Sequence, residues 1–186
     1  MTEQNSDLKR IYKHGSIAVF IPVLAFIIAY FANNILILDY VHVLLGALWT
    51  GVDIFLGIIF SSVIKNINKA TKVNIARGMI PMTLFFIPTV SIVVPAAGYV
   101  LATSEGIFSF TSSIFIAIII IGILLVATGF LTIVPVSWKF SRELSRENPD
   151  EDKISKDLSI ISRGAFIQMF FQMAIISLMA YIVVFP

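Results

Sequence analysis

The sequence predicts an all-α integral membrane protein, a bundle of five transmembrane helices with the N-terminus in the cytoplasm and the C-terminus outside. Three observations carry this. The 186 residues are 58% hydrophobic and 13% charged, against roughly 25% charged in an average soluble domain, and the mean hydropathy is +0.96. Five apolar runs, near 16–38, 40–64, 79–102, 111–137 and 164–185, are each long enough to cross a hydrocarbon core of about 30 Å at about 1.5 Å per residue. All 13 basic residues fall on one set of connections. Lys9, Arg10 and Lys13 precede the first run, Lys65, Lys69, Lys72 and Arg77 separate the second from the third, and the rest lie between the fourth and fifth. The alternate connections carry none, so the positive-inside rule gives a single orientation.

The chain reads as one transmembrane domain, 1–186, with no internal repeat. No cleavable leader is expected, because the first run is longer than a signal h-region and lacks a small-x-small cleavage site. The absence of cysteine excludes disulfides, thiolate metal sites and cysteine nucleophiles. The lipid bilayer of the cell membrane is the expected partner, and nucleic acid is not. Tyr12 and Trp138 mark the cytoplasmic boundary, and Tyr40, Tyr99 and Tyr181 the outer one.

Taken in order, the first run carries a single kink at Pro22 and ends before Asp39. The second is the unusual one. At about 100° per residue, His42, Gly46, Trp49, Asp53 and Phe60 fall within about 60° of one another, with Asp39, Thr50 and Gly57 beside them. A polar stripe of this kind is costly against lipid and should face the bundle. The glycines allow close approach by a helix or a flat ligand. His42 reads as a ligand for a metal or haem iron, as a proton carrier, or as a histidine hydrogen-bonded to a neighbour. Asp53, the sole acidic residue inside the runs, is expected to be protonated or paired, because an isolated carboxylate there costs several kcal/mol. It reads either as a proton relay or as a neutral acid joining helices. Thr128 and Gln172 lie at similar depth and complete a candidate intramembrane polar network with Asp53. Trp49 reads as packed core or as the wall of a planar ligand.

The third run carries Pro81, Pro88 and Pro95, seven residues apart and therefore on one helical face. Each removes a backbone donor and kinks the helix. Pro135 adds a kink to the fourth. The charged stretch 139–163 predicts a cytoplasmic helical hairpin that extends the fourth helix to about Glu147, breaks at Asn148–Pro149 and restarts near Asp150. Gln168 and Gln172 share a face of the fifth run and suit interhelical hydrogen bonds. His14 reads as an interfacial residue.

The segment from His42 through Trp49 to Gly51 has the form H-x6-W-x-G at the outer start of a helix. It resembles a helix found in copper-resistance D proteins, HemJ-type protoporphyrinogen oxidases and the membrane N-terminal part of bacterial urate oxidases. The resemblance covers at most about twenty-five residues. It implies a compact bundle that binds haem b, with His42 as axial ligand. The lysine that HemJ-type proteins pair with that histidine has no counterpart in the five runs.

Three functions follow as expectations. One is a haem-associated redox protein, with His42 on the iron, Gly46 and Trp49 lining the haem, and Asp53 moving protons. Another is a copper or proton transporter or channel component, suggested by the three-proline helix, Asp53 and the methionines, which a homo-oligomer would complete. The third is a non-catalytic subunit of a larger membrane complex.

Overall fold

The computed structural model describes residues 2–146 and 148–184, with the side chains of 2–12, 14 and 81 excepted. These residues form α-helices joined end to end through π-helical turns into five rods: α1 (Thr2–Phe31), α2 (Ile35–Lys65), α3 (69–104), α4 (Ser113–Leu144) and α5 (Glu151–Val184). Four helices, Ile35–Lys65, Met82–Ser104, Ser113–Leu144 and Glu151–Val184, each contain a stretch long and apolar enough to cross a membrane. The apolar part of α1, Gly15–Phe31, is shorter, at roughly 25 Å.

The first boundary differs from the sequence expectation. The break falls at 32–34 rather than at Asp39. Asn33 takes a left-handed conformation (φ 49°), and the Asn34 side chain accepts from the Leu36 and Ile37 backbone N–H groups at 3.0 and 3.4 Å. Two consecutive asparagines thus stop one helix and cap the next, and Ile35–Leu38 become the first turn of α2. At the far end, α4 stops at Leu144 and α5 restarts at Glu151. Asp150 Oδ1 accepts from the Asp152 and Lys153 N–H groups. Glu147 and Phe185, where the expected helix ends fall, lie outside the described residues.

Each π turn has a local cause. In α3 it spans Pro81–Phe86, and in α4 Gly129–Ile133. Pro88 and Pro135 follow them, and the carbonyl each proline ring would crowd, four residues back, belongs to Leu84 or Leu131 inside the turn. The wider π ring absorbs the missing bond. In α2 the π turn Phe55–Phe60 contains no proline. There the Ser162 hydroxyl of α5 donates to the Leu56 carbonyl at 2.6 Å, while Gly57 lets the two backbones touch. Pro95 sits inside the helical stretch Ile87–Ser104.

Helix α3 packs against all four other rods, α5 against α2, α3 and α4, and α1 against α2 and α3. The largest buried cluster gathers at the end where the 66–68 and 145–150 connections lie, here called the capped end. It includes Phe60, Ile64, Ala76, Phe140, Ile154 and Leu158. Here the helices run on past their apolar runs, and the cluster joins residues beyond those runs to residues within them. Elsewhere large apolar side chains such as Phe20, Leu36, Ile123 and Leu131 stay exposed, as lipid contact requires.

A buried acid fastens the cap. Glu143, beyond the apolar run of α4 and 1% exposed, accepts from the Arg146 guanidinium, the Asp150 backbone N–H and the Lys153 ammonium. The Lys153 hydrogen bond holds the Glu143 carboxyl below its ordinary range. A carboxyl lowered in the folded state contributes stability above its unfolded value and loses it as pH falls through the folded one. Glu143→Gln should therefore lower the thermal midpoint in detergent at neutral pH and flatten its decline on acidification. Parallel midpoint-against-pH curves for the two proteins would refute this role.

Candidate functional site

The polar stripe of α2 faces inward and meets two different partners. Toward the end carrying the 32–34 and 105–112 connections it meets α3. His42 Nδ1 lies 3.0 Å from the Val94 carbonyl oxygen. A carbonyl only accepts, so the Nδ1 proton is fixed there and Nε2 is the basic nitrogen. The imidazole lies over Gly98, where a Cβ would come within 2.7 Å of Cε1. Gly46 faces Val94, and Trp49 packs with Val90 and Leu125.

Deeper in, the stripe meets α5. Asp53 is fully buried, and its Oδ2 accepts from Gln172 Nε2 at 2.9 Å. No lysine or arginine lies on α2 before Lys65 or on α5 after Arg163. Its other oxygen, Gln172 Oε1 and Trp49 Nε1 are buried without a hydrogen-bond partner among the described residues. Thr128 is not brought to this pair. Its hydroxyl turns back to the Leu124 carbonyl at 2.7 Å. The physical reason is local: a threonine in a helix satisfies its own hydroxyl four residues back, whereas the Gln172 amide is long enough to cross the interface. Gln168, one turn from Gln172, donates instead to the Leu125 carbonyl at 3.0 Å. Ser162 and Glu143 went unnoticed in the sequence. Glu143 looked like one member of a solvated charge run, and a single serine carries no periodic signal.

On donor set and space, a haem seated between α2 and α3 does not fit. Gly46 and Trp49, which would line it, are covered by Val94 and Val90. No group of three or more His, Cys, Asp or Glu side chains among the described residues could hold a metal ion. His42 Nε2 alone retains the character of a ligand atom. Among the prolines, Pro88 and Pro95 lie in the stretch of α3 that packs on α2. Pro81 opens the π turn that packs on α1.

Compared with protein-family models, curated proteins and solved structures, the chain matches none. Fold and site define the class: a multi-pass helical membrane protein. Within that class, its distinguishing feature is a carboxyl–amide pair, Asp53–Gln172, sealed between two long apolar helices.

Proposed function

We propose that this chain is a multi-pass protein of the cell membrane, with its N-terminus in the cytoplasm and C-terminus outside, that takes up and releases a proton at Asp53 within a translocating unit. The carrying observation is a fully buried carboxyl whose one hydrogen-bond partner among the described residues is a neutral amide. A carboxylate so placed costs several kcal/mol when charged, and the nearest cations along its own and the facing helix, Lys65 and Arg163, are 12 residues from Asp53 and 9 from Gln172. The proton is the species that resolves the cost, and its loss and return switch the site between two states. Five crossings support the orientation, since every basic residue then lies on the cytoplasmic side. A second copy would complete the pathway.

The test is proton flux into proteoliposomes under an imposed potential, read with an entrapped pH dye. Asp53→Asn keeps the hydrogen-bonding shape and removes the titrating group, and should lower the flux by about tenfold or more. Flux absent from the wild type, or unaltered in Asp53→Asn, overturns the proposal.

His42 favours a second reading. A neighbouring carbonyl that fixes the Nδ1 proton is how proteins orient histidine ligands, leaving Nε2 for the metal. On this reading copper, or a haem b held outside the filled α2–α3 contact, is bound through His42 Nε2 on the outer side, with the remaining ligands supplied by another chain. The H-x6-W-x-G resemblance supports it. Protein purified in mild detergent should then show a Soret band, or bound copper, that His42→Ala removes. Protein that stays colourless and metal-free after both are supplied would end this reading.

A further inference from the structure

Six buried side-chain atoms lack a hydrogen-bond partner among the described residues: Trp49 Nε1, Asp53 Oδ1, Ser137 Oγ, Asp157 Oδ2, Gln168 Oε1 and Gln172 Oε1. None lies on α1 or α3. The buried hydroxyls of α3, Thr83 and Ser91, are bonded to the Met79 and Pro88 carbonyls. The unpartnered atoms follow α5 and the helices against it.

Their order along α5 is set by the antiparallel register with α4. Gln168 meets Leu125 and Gly129, Gly164 meets Thr132 and Ile133, and Lys153 meets Glu143. Ser137 therefore lies level with about residue 160 of α5, one turn beyond Thr132–Ile133. Polar groups thus recur at the levels of Asp157, Ser137, Thr132, Gln168 and Gln172, in steps of about 6 Å or less. That spacing suits single bridging waters, and buried polar groups without a protein partner are where such waters sit. Two glycines line the same seam. A Cβ at Gly129 would come within 2.9 Å of Gln168 Nε2, and one at Gly164 within 3.0 Å of Ile133 Cγ1, so a side chain at either position would crowd it.

We infer that the α4–α5 seam is a one-sided, water-filled proton path that enters at Asp157 at the capped end and stops at the Asp53–Gln172 pair. This rests on the reading of Asp53 as a proton site. Burial pushes the Asp157 carboxyl above its ordinary range, and Lys153, Lys139, Glu143 and Lys156 set the field around it. Beyond Asp53 the path closes. Trp49 is packed by Val90 and Leu125, and the α2–α3 contact past it is apolar except for the His42–Val94 bond.

The chain has no cysteine, so single cysteines report without background. Ser137→Cys and Thr132→Cys sample the seam. Ala165→Cys, at a fully buried position facing the apolar cluster of the capped end, samples dry core on the same helix pair's level. A small membrane-impermeant cationic methanethiosulfonate reacts with thiolate, which needs water. From the capped side it should modify one or both seam cysteines at least about tenfold faster than Ala165→Cys. From the opposite side it should not reach them. Seam cysteines as inert as Ala165→Cys, or labelled equally from the opposite side, would overturn the path. The two readings fail separately. Labelled seam cysteines with unaltered Asp53→Asn flux would remove the function of Asp53 and leave the hydrated seam, whereas a dry seam with Asp53-dependent flux would do the reverse.

Discussion

Gly57→Ala is expected to destabilise the protein more than any other single added methyl group in the bundle. A Cβ at Gly57 would lie 2.7 Å from Phe166 Cα and 2.8 Å from its backbone nitrogen. Backbone cannot rotate aside as a side chain can, so α2 and α5 must separate. Overpacking of this kind costs typically about 1–3 kcal/mol, and a clash with main chain belongs at the upper end. Separation would also strain the Ser162–Leu56 bond in the same π turn and the Asp53–Gln172 bond about one turn away. Gly51→Ala is the control. A Cβ there meets nothing within 4 Å, so replacing a mid-helix glycine should raise stability by roughly 0.5–1 kcal/mol. Thermal midpoints in detergent should therefore move in opposite directions for the two substitutions. Equal shifts would mean that α2 and α5 do not meet at Gly57.

The second large effect is at Gln172. Gln172→Leu leaves Asp53 Oδ2 buried with no donor. An interhelical hydrogen bond in a membrane is worth about 1 kcal/mol or less on average, but an acceptor left buried and unsatisfied costs about 1–3 kcal/mol. The larger figure applies here because Asp53 is fully buried and has no other partner. Removing both polar groups relieves the penalty. The double variant Asp53→Leu/Gln172→Leu should unfold at a higher temperature than Gln172→Leu alone, with a coupling of about 0.5–3 kcal/mol in the cycle. Additive single effects would place the two side chains out of contact.

Much of the architecture was legible because lipid imposes simple rules. Length and apolarity of the runs located the helices, since nothing else satisfies backbone hydrogen bonds in hydrocarbon. The prolines of α3 and α4 announced irregular helix, although not its form. Their π turns depend on how neighbouring rods hold the backbone, and the π turn of α2 has no proline to announce it. The first helix boundary was misplaced at Asp39 because a charge draws more notice than the asparagine pair that actually turns the chain.

At the candidate site, periodicity placed His42, Trp49 and Asp53 on one face and gave Gln172 a matching depth. It did not say which helix each would meet. His42 meets α3, Trp49 packs with Val90 of α3 and Leu125 of α4, and Asp53 meets α5, so a stripe that reads as one surface is divided among several interfaces. Thr128 had the right depth and a hydroxyl that bonds its own helix.

By itself, the sequence determined that this protein lives among helices in a bilayer, because apolar length and the gathering of cations on alternate connections are properties of the chain read in order. Only the tertiary structure decided that the Asp53 carboxyl meets the Gln172 amide and that Gly57 of α2 lies against the Phe166 backbone of α5. Those depend on helix rotation and register. They are fixed by a few glycine contacts and side-chain bonds between residues about a hundred positions apart, which no local pattern encodes.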